Sequence, residues 1–289
     1  MSLLNVLQTY PAFFIASMAM LGLFVGSFLN VVIHRLPIMM EREWRAHCAE
    51  LAGAPPPTSE PYNLWQPRSR CPQCQRTIRA TENIPVLSYV MQRGCCVGCG
   101  TRIAARYPAV EILGATVAAV AAWRLGFGLP ALGAACLAWA LIALSAVDLD
   151  HHLLPDSITL PLLWAGIGFN LWEVYADLRS AVLGAMAGFL VLWLVYWVFK
   201  LLTGKEGMGY GDFKLLAALG AWAGWQSLPL TILLASAVGA VIGIVLIVMK
   251  RHTRSQPLPF GPFLACAGWV ALLWGDQISR AYLRGVMAG

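Results

Sequence analysis

The sequence predicts an all-α polytopic membrane protein, with about eight transmembrane helices and a cytosolic zinc-ribbon-like loop domain between the first and the second. Three observations carry this expectation. Of 289 residues, 59% are hydrophobic and only 12% charged, a balance that soluble domains do not have. The apolar residues are gathered into long runs separated by short polar joins. Only one polar segment is long, residues 38–105, and it holds five of the eight cysteines outside its first turns, at 71, 74, 95, 96 and 99.

The first run, about 13–33, has the ~20 residues that a bilayer-spanning helix needs. No basic residue precedes Arg35, so the charged start of a cleavable signal peptide is missing. Gly26, Ser27 and Asn30 are small or polar residues in an apolar helix and predict a helix–helix contact. Arg35 is placed to snorkel toward lipid headgroups.

The polar segment opens with Glu41-Arg42-Glu43-Trp44-Arg45, read as helical, and passes through a flexible Pro55-Pro56-Pro57 piece. Cys71-Pro72-Gln73-Cys74 follows, and 21 residues after Cys74 comes Cys95-Cys96-Val97-Gly98-Cys99. Paired C-x-x-C units at this spacing are the pattern of a zinc ribbon, two turns that each present two thiolates to a tetrahedral ion. Cys71, Cys74, Cys96 and Cys99 fit best; Cys95 is one too many and could take a place in the pairing. Free thiols or a redox pair are the alternatives. A loop with little core of its own would draw folding free energy from a metal. Cys48, Cys136 and Cys266 are expected to be plain buried residues.

The second run, about 108–123, is entered through Arg106-Tyr107-Pro108-Ala109-Val110-Glu111. Glu111 is either a first-turn acid favoured by the helix dipole or the partner of a cation such as Arg106. Further runs cover about 129–147, 157–172, 181–200, 213–224, 228–249 and 262–275. The third ends at Asp148-Leu149-Asp150-His151-His152-Leu153-Leu154-Pro155-Asp156. Between the fifth and sixth lies Gly207-Met208-Gly209-Tyr210-Gly211-Asp212, whose glycines predict an unwound chain. As a glycine loop this stretch needs no more than a helix N-cap at Asp212.

Charge orients these spans. With the long loop cytosolic, sixteen of the twenty Lys and Arg fall on that side, against Arg124, Arg179, Arg280 and Arg284 on the other, as the positive-inside rule requires. The cytosolic set includes Lys250, Arg251 and Arg254. This topology puts Asp148, Asp150, Asp156 and Asp212 at one membrane boundary. An acid so close to lipid is a functional hypothesis by default. Two carboxylates brought together cannot both ionise cheaply and share one proton, which is what peptide hydrolysis by an aspartate pair needs. The helix dipoles would leave the anion on Asp212, at a helix start, and the proton on Asp148, at a helix end. Asp150 and Asp156 have plain roles as loop or capping residues, and the adjacent His151 and His152 suit headgroup contact. The expected organisation is a first transmembrane helix (1–37), a Cys-rich domain (38–105) and a seven-helix membrane peptidase domain (106–289).

The motifs, taken in order, resemble the type IV prepilin peptidases, bifunctional leader peptidases and N-methyltransferases of bacterial pili and type II secretion. The likeness runs through Gly26-Ser27-Phe28-Leu29-Asn30, His34-Arg35-Leu36-Pro37, the paired cysteines, Glu82-Asn83-Ile84-Pro85, Tyr107-Pro108 with Glu111, Asp148-Leu149-Asp150 with Leu154-Pro155-Asp156, Gly209-Tyr210-Gly211-Asp212 and Pro259-Phe260-Gly261-Pro262. The resemblance implies Asp148 and Asp212 as the catalytic pair, Asp148 rather than Asp150 because Leu149 and the offset to Pro155 match the family pattern. It implies prepilin and pseudopilin substrates cut after a basic leader at the cytosolic face of the inner membrane. It also implies methylation of the new N-terminus from S-adenosylmethionine. No glycine fingerprint places the methyl-donor site. Membrane lipid is an expected partner and nucleic acid is not. Cys95 departs from the family, where a basic residue is common. Three other readings compete: an intramembrane aspartyl protease without methyltransferase activity, a transporter with acids along an ion path, and a zinc-bearing membrane scaffold of a secretion machine.

Overall fold

A computed structural model describes residues 3–55, 61–249 and 258–287. Pro56, Pro57, the Lys250–Arg254 charge cluster and Pro257 lie outside the described residues. Among the described residues the chain is helical, with no strand beyond two isolated β-bridges. Each of the eight apolar runs is a helix or part of one. They correspond to α2 (Pro11–Leu51), α4 (Arg106–Leu125), α5 (Leu129–His151), α6 (Asp156–Asn170), α7 (Leu178–Thr203), α8 (Tyr210–Ala223), α9 (Leu228–Val248) and α10 (Gly261–Met287). Two short helices, α1 (Leu3–Thr9) and α3 (Leu87–Met91), complete the set. Among the described residues five segments are long and apolar enough to cross a bilayer: α2, α4, α5, α7 and the stretch Trp225–Val248 that ends in α9. Helices α6 and α8 have 15 and 14 residues. At 1.5 Å per residue, α8 extends only about 21 Å, short of the ~30 Å hydrocarbon core.

The chain divides into two compact units, Met1–Val120 and Ala121–Gly289. In the first, α2 continues without a break past the end of its apolar run. Pro37 sits inside it, and the charged segment around the i,i+4 pair Glu41–Arg45 belongs to the same 41-residue helix. Pro37 removes one helical hydrogen bond, yet the turns on either side carry the helix on. Gly22 and Gly26 are spaced for close approach, and a Cβ at either would strike the α4 backbone at Gly114, Ala115 or Glu111. Asn30 Nδ2 donates to the Tyr107 carbonyl at 3.0 Å. The contact expected of Gly26 and Asn30 is therefore with α4. Arg35 does not reach for headgroups. It is 7% exposed, and its guanidinium donates to the carbonyls of Asn63 (2.8 Å) and Pro67 (2.6 Å), because a fork of donors suits a loop whose carbonyls lack helical partners.

In the second unit α8 is the centre. Between Asp212 and Trp222 every residue but Lys214 is buried, as expected of a helix apolar on all sides. It packs chiefly on α7 and α6, with further contact to α10. Glycines set its approach to α7: Gly184 lies against Gly220, and a Cβ at Gly188 would meet the Leu216 carbonyl at 2.6 Å. At the far end of α8, Trp222 Nε1 donates to the Leu162 carbonyl (2.8 Å). Asn170 clamps the same end with all four of its hydrogen bonds, donating to Ala221 and Trp222 carbonyls and accepting from Tyr175 and Ala176 N–H groups. By contrast α9 and the outer face of α7 expose Leu190, Leu194, Val238, Val241, Ile244 and Val248, the surface a lipid bilayer would cover. Cys136 and Cys266 are exposed on α5 and α10, and Cys48 on α2, not buried as expected, since each falls on an outer helix face.

Candidate functional site

Asp148 lies in the last turn of α5, which runs on to His151 and closes where His152, in the left-handed conformation, donates its N–H to the Asp148 carbonyl. The Asp148 side chain turns inward and is 6% exposed, whereas Asp150, two residues on, is exposed. Its Oδ2 accepts the N–H of Gly261, the first residue of α10, at 3.1 Å. A Cβ at Gly261 would stand 2.6 Å from that oxygen, so only glycine lets the α10 start come so near.

Asp212 arrives from another direction. The glycine stretch stays unwound through Gly209, which takes the N-cap position with extended backbone, and α8 starts at Tyr210. Asp212 is thus in the first turn of α8, not at its cap, and its N–H donates to the Gly209 carbonyl (3.3 Å). Its carboxyl is 7% exposed, and Oδ1 is buried with no hydrogen-bond partner among the described residues. Leu154 sits between the two loops that carry Asp148 and Asp212. It meets Gly211 on one side, at 2.7 Å from where a Cβ would be, and Gly261 on the other, at 3.2 Å. The site therefore gathers the ends of α5, α8 and α10 with the join between α5 and α6.

Around it stand residues to which the motifs gave a plain role or none. Asp156, in the first turn of α6, does not cap its helix; both its oxygens receive Lys214 Nζ at 2.7 Å, tying α6 to α8. The ring of Phe213 packs with those of Tyr196, Tyr210 and Phe189. Lys200 lies over the rings of Tyr196 and Trp197 and pairs with Glu206 at 2.8 Å, which holds the Glu206 carboxyl below the usual carboxylate range. Their signal in the sequence was an aromatic and a basic residue at helical spacing from the glycine stretch, a pattern too common to single out.

The cysteines form a second centre in the other unit. Cys71, Cys74, Cys96 and Cys99 present four sulfurs within 4.8 Å of one another. The two turns are built alike. Cys71 N–H donates to the Arg76 carbonyl and Gln75 N–H to Cys71; Cys96 N–H donates to the Thr101 carbonyl and Gly100 N–H to Cys96. Each turn is closed by a bridge, Arg70 with Thr77 and Cys95 with Arg102. Cys95 therefore occupies the place of Arg70, outside the four-sulfur group. The Sγ separations of 3.8 Å (Cys71–Cys99) and 4.0 Å (Cys74–Cys96) match the edge of about 3.8 Å that a tetrahedron with metal–sulfur bonds of ~2.3 Å requires. The Thr101 hydroxyl, first, and its backbone pull the Cys99 thiol down to about 6. At Cys74 the Arg76 backbone favours the thiolate, but burial and the three neighbouring sulfurs together push the thiol up to about 11. Four thiolates cannot share this space without a cation, and the donor set could hold a metal.

Glu82 joins the two turns. It forms an ion pair with Arg76, whose chain lies across Gly98, accepts the Arg79 N–H at 3.0 Å, and offers its carbonyl to Gln92 Nε2 at 3.3 Å. Glu111 is 8% exposed and accepts the N–H of Val86 at 2.7 Å. Neither sequence alternative anticipated that backbone partner. Val86 has φ +58, costly for a β-branched residue, and Glu111 helps hold it there.

Comparison with known proteins agrees with this arrangement. Residues 20–125 match the bacterial peptidase A24 N-terminal domain, and residues 135–244 match the type IV leader peptidase family. The chain is 55% identical over 288 residues to the prepilin leader peptidase/N-methyltransferase of Aeromonas salmonicida (strain A449), covering 99% of each chain. It is 56% identical to the protein of that name from Aeromonas hydrophila, over 97% of this chain and 98% of the other. Against the Pseudomonas aeruginosa protein of the same name the identity is 53%, over 98% of both. No solved structure matches. With two family models covering both units and relatives alike from end to end, this chain belongs to the type IV leader peptidase family.

Proposed function

We propose that this protein removes the leader from prepilins and pseudopilins and N-methylates the residue so exposed. Asp148 and Asp212 are the catalytic pair. The observation that carries the reading is the pairing of two buried carboxyls from separate helix ends, next to an unwound glycine stretch, in a chain whose relatives bear the prepilin leader peptidase name. An aspartate pair can hydrolyse a peptide only with one group ionised and one protonated. The helix-end argument from sequence would leave the proton on Asp148. The tertiary contacts favour the reverse: Asp148 accepts the N–H at the start of α10, a donor that suits an anion, while Asp212 Oδ1 has no donor among the described residues. In this assignment Asp148 takes a proton from water as it attacks. Asp212 donates a hydrogen bond to the scissile carbonyl and the developing oxyanion, and the proton then passes to the leaving amine.

Both units are membrane-bound, with the eight helices that match apolar runs spanning or entering the bilayer and the Cys-rich loop and aspartates at the cytosolic face of the inner membrane. The domain plan is 1–37, 38–105 and 106–289. Zinc is the ion that the four-thiolate set suits, as a structural ion without an open coordination position. S-adenosylmethionine is the methyl donor. The aspartates at the site, in place of a bare metal loop, favour a peptidase over a scaffold.

The test is leader removal from a prepilin by the purified protein in detergent, with methyl incorporation read by mass in the same reactions. Asp148→Asn and Asp212→Asn should each lose cleavage by roughly 10³-fold or more, keep methylation of pre-cleaved pilin, and leave Asp150→Asn close to wild type. Retention of cleavage in both single variants would falsify the catalytic assignment. An essential Asp150 would move the first catalytic position by two residues.

A further inference from the structure

In the Met1–Val120 unit, the loop 61–67 carries a feature that neither peptide cleavage nor methylation uses. A surface cleft of about 510 Å³ is lined by Pro61, Gln66, Pro67, Arg68, Arg70 and Thr77. Among the described residues that line it, the only charged side chains are Arg68 and Arg70. One wall is the first cysteine turn, through the Arg70–Thr77 bridge. The opposite wall is the loop 61–67, which is held by Arg35 at the Asn63 and Pro67 carbonyls and shaped by Asn63 Oδ1, which accepts the N–H groups of Trp65 (2.8 Å) and Gln66 (2.7 Å).

The level of this cleft relative to the bilayer follows from its neighbours. Trp65 is 77% exposed, yet its ring stacks on Phe28 at 5.9 Å and 29°. Phe28 belongs to the apolar run of α2, and Arg35 lies two turns further along the same helix, about 10 Å. A tryptophan laid on a membrane helix near the end of its apolar run is an interfacial anchor. The arginines immediately beyond it then sit at headgroup depth. Guanidinium groups at that depth are matched to phosphate, which they bind through paired N–H donors. The basic leader of the substrate is the wrong charge for this cleft.

We infer that the cleft formed by Arg68, Arg70 and Gln66, with Trp65 at its lipid side, binds the phosphate headgroup of an anionic phospholipid. The bound lipid would fix the depth of loop 61–67 and, through the Arg70–Thr77 bridge, of the first cysteine turn.

The experiment is native mass spectrometry of the full-length protein released from detergent, titrated with phosphatidylglycerol or phosphatidylcholine, with and without 10-fold excess inorganic phosphate. Wild type should retain phosphatidylglycerol in preference to phosphatidylcholine, and inorganic phosphate should not displace it. Arg68→Gln/Arg70→Gln should weaken phosphatidylglycerol retention by roughly 10- to 30-fold, the size expected from removing two interfacial arginines, with metal content unchanged. Arg93→Gln/Arg102→Gln, the same charge loss elsewhere in the domain, should retain the lipid. Trp65→Ala should weaken it too, and it decides the matter if the double arginine variant loses its metal. Equal loss in both double variants, which signals diffuse attraction, overturns the inference. So does displacement by inorganic phosphate, or wild-type retention in Arg68→Gln/Arg70→Gln or Trp65→Ala. None of these readings depends on cleavage or methylation, so the peptidase assignment can fail without touching this one.

Discussion

Asp148 and Gly261 are 113 positions apart, and the hydrogen bond between them makes Gly261 as particular a residue as either aspartate. A methyl group there would stand 2.6 Å from the carboxylate oxygen and force it aside. Gly261→Ala is therefore expected to lower leader cleavage by at least about 10-fold, the loss that a displacement near 1 Å can cause. Methylation of pre-cleaved pilin should persist, and the paired assay of cleavage and methyl incorporation checks both. Glu111 offers a contrast of another kind. Glu111→Ala leaves the half-buried Val86 N–H without its acceptor and should cost about 1 kcal/mol, whereas Glu111→Gln keeps an oxygen and should cost much less. Thermal unfolding of the two variants in detergent measures the difference; equal losses would mean that the Val86 contact is not what Glu111 contributes.

At the scale of elements, two joins decide the architecture. The first is α7 on α8, where Gly188 admits the Leu216 carbonyl. Gly188→Val forces these backbones apart, and overpacking of this sort costs about 1–3 kcal/mol; a lowered melting temperature with cleavage lost in proportion is expected. By comparison, the Lys200–Glu206 pair is largely exposed, so Glu206→Gln should change stability little. The second join is the pair of cysteine turns. A strong chelator should release the ion and raise amide exchange through residues 70–103, since besides their sulfurs the two turns are joined only by a few polar contacts, those of Glu82 and Arg76 and the Thr101–Gln73 hydrogen bond among them. Acid acts in the same direction. Protons compete with the ion for all four thiolates, so metal content measured across pH 7.5 to 5 should fall toward the acid end.

For the whole molecule the measurable quantity is sidedness. In the proposed topology, eight helices in alternation would put Lys205 and the aspartates on one side of the membrane and the turn containing Glu173 on the other. Lys205→Cys should be shielded from a membrane-impermeant thiol reagent added to intact cells, and Glu173→Cys should react, each compared with the native thiols alone. Reaction of both from the same side would remove the eight-span topology. The five segments long and apolar enough to cross would then carry the topology, because α6 and α8 are too short to cross unaided.

Periodicity and composition by themselves determined which segments are helices, because a long apolar run in a bilayer has no other way to satisfy its backbone. Spacing alone also picked the four sulfurs, since two C-x-x-C turns impose the geometry of the group they enclose. What it could not decide was Cys95, which only the Arg102 bridge turns away from the cluster. Asp148 and Asp212 were legible as candidates because acids at the end of apolar runs are costly and therefore conspicuous. Which of them meets a hydrogen-bond donor was not legible, for the donor is a backbone N–H of a distant helix and backbone groups carry no mark in the sequence. The same holds for Arg35: its type and position suited a headgroup, and only the carbonyls of a loop some thirty residues away show it buried. Local pattern reports what a residue prefers, and tertiary structure decides which of several partners reaches it.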